Sequence, residues 1–124
     1  MVYGASPMPL TLLREAMAVF GCGFVKHYGM TETGGTISVL PPEDHSPDSN
    51  PRMLSVGRPL AGVEIRILDP EGGVLLVGVT GEIAIRTPTV MTGYRNRPGA
   101  TSAAFRDGFF LSGDIGHLDA DGYL

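Results

Sequence analysis

A helical apolar pattern set between two extended runs constrains this chain more than any other feature. Leu10, Leu13, Ala16, Met17 and Phe20 recur at helical spacing, with Arg14 and Glu15 off that face and Pro9 where a helix can start. Gly21 stands where a left-handed residue would end the helix. Val2-Tyr3 begins a short strand that breaks into Gly4-Ala5-Ser6-Pro7, and Phe24-Val25 resumes an extended run. Strand, helix, strand at this length predicts a parallel crossover. Ligands of open parallel sheets gather beyond the carboxyl ends of the strands. The Gly4 loop and the turn that starts at Tyr28 both lie at such ends, so they are expected side by side.

The segment Lys26 to Thr36 concentrates ligand chemistry in one short turn. Tyr28 offers a face for stacking on a base, and Gly29 lets backbone approach a ligand closely. Thr31 and Thr33 can donate to phosphate oxygens, and Glu32 can hold a divalent cation. Gly29 to Thr36 nearly fits the phosphate-loop pattern, but Gly35 stands where that loop needs its lysine, so this is a different turn. On these residues alone, a tight polar turn around a buried tyrosine is the competing reading.

The 124 residues are about one small domain. No apolar run approaches the roughly 20 residues that span a bilayer. Met1-Val2-Tyr3 lacks the basic start of a secretory signal, so a cytoplasmic location is expected. A net charge of -4, with no cluster of lysine or arginine, argues against nucleic acid as a partner. The single cysteine, Cys22, rules out an internal disulfide and a cysteine-based zinc site, and its neighbours Phe20, Phe24 and Val25 predict a packed thiol.

From Pro41 to Met53 the chain is proline-rich and acidic without period, which predicts a long surface loop. Beyond it Val63, Ile65 and Ile67 alternate with Glu64 and Arg66, Asp69 to Gly73 supplies a turn, and Glu82 to Arg86 repeats the alternation. Phe109 to Leu111 is a further strand, and Pro98 to Phe105 a short helix with Asn96 as its expected cap. The expected class is α+β: a partial α/β sheet built as strand-helix-strand, followed by a small antiparallel β-barrel-like unit. Residues 1–40 are assigned to the first part, 41–53 to the loop and 54–124 to the β-rich part.

Tyr28-Gly29-Met30-Thr31-Glu32 resembles the signature of the acyl-adenylate-forming, or AMP-binding, superfamily, which holds acyl-CoA synthetases, peptide-synthetase adenylation domains and luciferases. Three further segments resemble the same family in the family's order. They are Gly4-Ala5-Ser6-Pro7, Gly81-Glu82-Ile83 with Gly93-Tyr94, and Ser112-Gly113-Asp114 followed by Gly122-Tyr123-Leu124. The resemblance implies that Gly4, Ala5 and Ser6 lie along an adenine, that Tyr28 stacks on it and that Gly29 sits close to the nucleotide. It implies that Thr31 touches a phosphate, that Glu32 ligates magnesium and that Asp114 binds both ribose hydroxyls. Thr31 and Glu32 are thereby the expected catalytic residues. Three readings stand for His27: its backbone carbonyl orients the adenine amino group, its ring lines an acyl pocket, or it is a polar residue before a functional turn with no ligand contact. Glu82 reads equally as a solvated strand residue and stays outside the expected site; Tyr94 reads as core. Phe109, Leu111 and Ser112 depart from the tryptophan, polar or basic residue and threonine frequent in the family.

What the likeness implies for function is an AMP-forming acyl-CoA synthetase using ATP, magnesium and coenzyme A on a carboxylic acid. Coenzyme A as the acceptor leans on likeness to medium- and long-chain acyl-CoA synthetases, including Asn96-Arg97-Pro98 and Gly113-Asp114-Ile115-Gly116, and a fatty acid is the expected substrate. The alternatives are an adenylation domain loading a carrier protein and a non-catalytic nucleotide-binding module. The family's two phosphate-facing lysines find no match here, since Lys26 is the only lysine. The chain is therefore expected to be an internal piece of a longer enzyme, without its N-terminal and C-terminal portions, ending just before a hinge and inactive alone. Asp119, Asp121 and Gly122 partly fit a calcium loop, but its first position would be His117, so a surface turn explains them better.

Overall fold

A computed structural model describes residues 1–46 and 51–124. Strand β1 (Val2–Gly4) leads through helix α1 (Leu10–Phe20) to β2 (Val25–Met30), and β1 and β2 pair in parallel with Gly4 opposite His27. The expected crossover is therefore present. Gly21 closes α1 at φ 56°, donating its N–H to the Met17 carbonyl. Leu13 packs with Phe24 and Met53 in a cluster that Leu10, Ala16 and Met17 flank. Phe20 lies beyond that cluster and is exposed, as is Cys22, which corrects the expectation of a packed thiol. The aromatic neighbours in sequence turn elsewhere: Phe24 faces α1 while Cys22 stays in the connecting bend.

The chain then reverses in a single 3-10 turn, Thr31–Thr33, into β3 (Gly35–Leu40), a strand that the sequence pattern did not reveal. β3 runs antiparallel to β2, with a bulge between Tyr28 and Gly29, and short β4 (Arg58–Pro59) completes the sheet in the order β1-β2-β3-β4. The second sheet is a curled half-barrel of antiparallel strands, with β5 (Glu64–Leu68), β6 (Gly81–Arg86), β7 (Phe105–Arg106) and β8 (Phe109–Gly116) in the order β5-β6-β8-β7. A mixed α+β architecture results, as expected.

Ile37 of β3 packs into the half-barrel among Ile67, Ile83, Ile85 and Phe110, so the two sheets share one core. On the other face of the half-barrel Leu68, Ala84 and Phe109 cluster, with the Arg66 and Arg86 guanidinium groups 4.3 and 4.6 Å from the Phe109 ring centre. Helix α2 (Pro98–Ala103) starts from Arg97 with no side-chain cap; Asn96 instead adopts φ 56°, which corrects its reading as the cap.

The stretch read as a surface loop, of which residues 47–50 lie outside the described residues, is not exposed throughout. Asp44, His45 and Met53 are buried. Asp44 accepts the Tyr123 hydroxyl at 2.7 Å, His45 shares a 3.0 Å hydrogen bond with the Tyr3 hydroxyl, and Met53 completes the cluster under α1. Such a segment shows no period because single polar side chains anchor it, each to a distant partner.

Candidate functional site

Beyond the carboxyl ends of β1 and β2, Ala5, His27, Gly29, Met30, Thr31, Gly35 and Thr36 line an open cleft of about 300 Å³. Gly4 lies under it, packed so tightly on β2 that a Cβ there would sit 2.3 Å from the His27 carbonyl oxygen. Ala5 takes the left-handed region at φ 66°, turning the small-residue loop toward the cleft, and Ser6 is exposed beside it. His27 shares a 3.2 Å hydrogen bond between its Nδ1 and the Thr36 hydroxyl, which fixes the ring along the cleft wall. Gly29 owes its identity first to the neighbouring strand: a Cβ there would meet the Gly35 carbonyl oxygen at 2.0 Å. Gly29 thus lines the cleft while its backbone packs on β3.

The two threonines of the turn separate completely. Thr31 is exposed at the cleft mouth, whereas Thr33 is buried. The Thr33 hydroxyl accepts the Met30 N–H at 3.1 Å and lies 2.9 and 2.8 Å from the Met30 and Gly35 carbonyls. Its expected role as a phosphate donor is thus corrected, because its hydroxyl closes the turn itself. Glu32, between them, is half-buried, and its Oε1 accepts a hydrogen bond from the Tyr94 hydroxyl at 3.1 Å. Tyr94 is 38% exposed, so its reading as core is also corrected.

Tyr28 and Asp114, 86 positions apart, are joined by a 2.7 Å hydrogen bond from the phenol to Oδ2. Burial against the shared core, and then the adjoining carboxylate, push the Tyr28 phenol well above the ordinary tyrosine range. Asp114 is exposed and its backbone N–H is held by the Ser112 hydroxyl at 3.1 Å. Glu82, left outside the site by sequence reasoning, is half-buried and accepts the Gly113 N–H at 3.2 Å, steadying the bend that presents Asp114. The glycine-glutamate pair at 81 and 82 was the only signal for it. Asp119 accepts the N–H groups of Asp121 and Tyr123 at 2.9 and 2.8 Å, a surface turn as expected.

Among the described residues no three His, Cys, Asp or Glu side chains come together to cage a metal. One carboxylate beside an exposed hydroxyl, at an open cleft, suits a hard cation that takes most of its oxygens from phosphate and water. Lys26 does not turn its charge to that cleft: its ammonium donates to the Ser55 carbonyl at 2.9 Å.

Comparison with known proteins identifies the family. Residues 1–95 match the family described as AMP-binding enzyme. The chain is 42% identical over 123 residues to the fatty acid–[acyl-carrier-protein] ligase ScoC of Streptomyces coeruleorubidus, covering 99% of this chain and 24% of that protein. The solved amide bond synthetase McbA of Marinactinospora thermotolerans superposes with a TM-score of 0.90 at 36% identity, over 99% of this chain and 24% of that one. The O-succinylbenzoate coenzyme A synthetase MenE of Bacillus subtilis, solved with ATP and magnesium ion, superposes with a TM-score of 0.82 at 38% identity, over 98% of this chain and 24% of that one. The chain thus spans about a quarter of the length of the relatives it matches. Its small-residue loop, its Tyr28 to Glu32 turn and a family match covering three-quarters of its length make this chain a member of the AMP-binding enzyme family.

Proposed function

We propose that this chain forms the adenosine- and metal-facing part of an AMP-forming ligase that activates a carboxylic acid as an acyl-adenylate and passes the acyl group to coenzyme A. The observation that carries the reading is the Tyr28–Asp114 hydrogen bond, which couples an aromatic face to an exposed carboxylate next to the Thr31–Glu32 turn. In this reading the ring takes the adenine, with Gly4, Ala5 and Ser6 along its other side and His27 and Gly29 at its edge. Asp114 accepts from the two ribose hydroxyls, since a carboxylate receives two donors in a fork. Thr31 donates to a phosphate oxygen. Glu32 would hold magnesium, whose chemistry here is to neutralise charge on the transferring phosphorus.

A substrate carboxylate oxygen attacks the α-phosphorus in line, and the bond to pyrophosphate breaks. The thiol sulfur then attacks the acyl carbon and AMP leaves. The chain's own residues orient and stabilise; none forms a covalent intermediate. The positive partners of the outer phosphates come, in this reading, from parts of the ligase outside these 124 residues. We assign a fatty acid as substrate and the cytoplasm as the place of action. The name of the carrier-protein ligase at 42% identity favours a second reading, in which the acceptor is a carrier-protein thiol.

The test is ATP–pyrophosphate exchange by the ligase that contains this chain. Glu32→Gln is expected to slow exchange by one or more orders of magnitude with the fold intact. Asp114→Ala is expected to weaken ATP by about 1 to 3 kcal/mol while leaving affinity for the acid unchanged. An unaltered exchange rate in the first variant, or equal losses for ATP and acid in the second, would overturn the assignment.

A further inference from the structure

Gly93-Tyr94 lies outside the roles assigned above, although its side chain reaches the turn at their centre. Residues 87–94 form a strap that leaves β6 and crosses the Thr31–Thr33 turn. It grips that turn at three points. Thr89 Oγ1 donates to the Thr33 carbonyl at 2.7 Å, the Met91 N–H donates to the Glu32 carbonyl at 2.7 Å, and the Tyr94 hydroxyl donates to Glu32 Oε1 at 3.1 Å. Backbone and side chain of Glu32 are therefore both fixed by one segment 62 positions further along the chain.

The far end of the strap is itself anchored. The Tyr94 N–H donates to Thr101 Oγ1 at 2.9 Å, and that hydroxyl turns back to the Arg97 carbonyl at 3.0 Å. Gly93 makes this docking feasible: its φ is 152°, and a Cβ there would stand 2.6 Å from Thr101 Cγ2. The glycine brings the strap onto α2, and the tyrosine, so placed, points its hydroxyl at the carboxylate. A tyrosine recruited only for packing would not stand 38% exposed with its hydroxyl turned to an acid.

We propose that Tyr94 is a positioning residue for Glu32, holding Oε1 so that the second carboxylate oxygen is presented to a divalent cation. The inference rests on the reading of Glu32 as the metal ligand. A carboxylate at the end of a free side chain loses rotamer freedom when it binds a cation, and one already held loses less. Magnesium also demands a near-octahedral shell with several waters, which a carboxylate offering one oxygen fits. Outer partners of metal ligands act in this way, and their loss typically weakens metal binding by tens of fold. Because the hydrogen bond is exposed, its effect falls on the cation rather than on the fold.

The experiment uses Mn2+ as the probe, in the presence of ATP, with binding read from loss of the free ion's paramagnetic resonance signal. Exchange activity across Mg2+ concentrations is measured in parallel. In the ligase containing this chain, Tyr94→Phe is expected to raise the Mn2+ dissociation constant and the half-saturating Mg2+ about tenfold, with the saturated rate and the melting temperature retained. Tyr94→His, which restores a donor, recovers part of the loss. In a Glu32→Gln background the Tyr94→Phe effect vanishes. If Glu32→Gln weakens Mn2+ but Tyr94→Phe does not, the positioning role is overturned and the metal-ligand reading stands. If Glu32→Gln leaves Mn2+ binding unchanged, the metal-ligand reading itself falls. Equal losses in the Phe and His variants, or a Tyr94→Phe protein that loses its fold, would mark Tyr94 as structural and overturn the proposal.

Discussion

The Thr31–Gly35 turn and the strap at 87–94 lie against each other, yet they are built in opposite ways. The turn closes on itself: the Thr33 hydroxyl bonds the Met30 N–H, Gly34 returns its N–H to the Thr31 carbonyl, and Gly29 touches Gly35 backbone to backbone. The strap closes on itself only at its start, where the Val90 N–H donates to the Thr87 carbonyl at 3.3 Å and the Thr87 and Thr89 hydroxyls meet at 3.1 Å, and beyond that point it takes its shape from what it grips. A self-closed turn is stiff against backbone change, whereas a segment held chiefly by bonds to its neighbours can yield with them. The difference teaches where precision is stored. The groups proposed to face a ligand sit on the stiff element, and the segment proposed to aim one of them is the compliant one.

Gly29→Ala should break this contrast most severely. Its Cβ would meet backbone atoms of Gly35 and Thr36, at 2.0 and 2.9 Å, that cannot rotate away. A loss of about 3 kcal/mol or more is expected, read by denaturant unfolding. The corresponding change in the strap, Gly93→Ala, meets only the Thr101 side chain at 2.6 Å. That side chain can turn only by giving up its bonds to the Tyr94 N–H and the Arg97 carbonyl, and alanine must hold φ 152°, so the expected cost is about 2 kcal/mol, still below that of a backbone clash. Equal costs would show that the strap is no softer than the turn. Thr89→Val keeps shape and removes the hydrogen bond to the Thr33 carbonyl, for an expected loss of about 1 kcal/mol. A neutral Thr89→Val would mean that the strap is held by Met91 and Tyr94 alone.

The mildest probe is alkaline titration. All four tyrosines have raised pKa values: Tyr3 through burial, Tyr28 through burial and then Asp114, Tyr94 through its bond to Glu32, Tyr123 through its bond to Asp44. A phenol is charged when deprotonated, so a raised folded value means that the native state holds the proton more tightly. That stabilisation is complete below the unfolded value, about 10, and is lost as pH rises through the folded values. Phenolate absorbance should therefore lag behind free tyrosine, and the melting temperature should fall above about pH 10. Tyr28→Phe should flatten that fall more than Tyr94→Phe. The reverse order would place the better-shielded phenol in the strap.

Much of this was legible in the chain. The crossover around α1, the left-handed Gly21, the alternation of β5 and β6 and the Asp69 to Gly73 turn follow from local periodicity and backbone preference, which neighbours within a few positions settle. The same holds for the meeting of the Gly4 loop with the Tyr28 turn, which parallel pairing requires. β3 was missed because Gly35-Thr36 reads as turn, and only pairing with β2 makes it strand. What the tertiary structure alone decided is the state of individual side chains. Thr31 and Thr33 have the same chemistry in sequence, but one faces the cleft and the other closes the turn. Tyr94 reads as core until α2 and Glu32 are brought to it, Cys22 reads as packed until Phe24 turns away, and Asp44 and His45 read as solvated until Tyr123 and Tyr3 arrive. The physical reason is common to these cases. Backbone preference and periodicity act between near neighbours, whereas a polar side chain's role depends on partners that only the folded chain supplies.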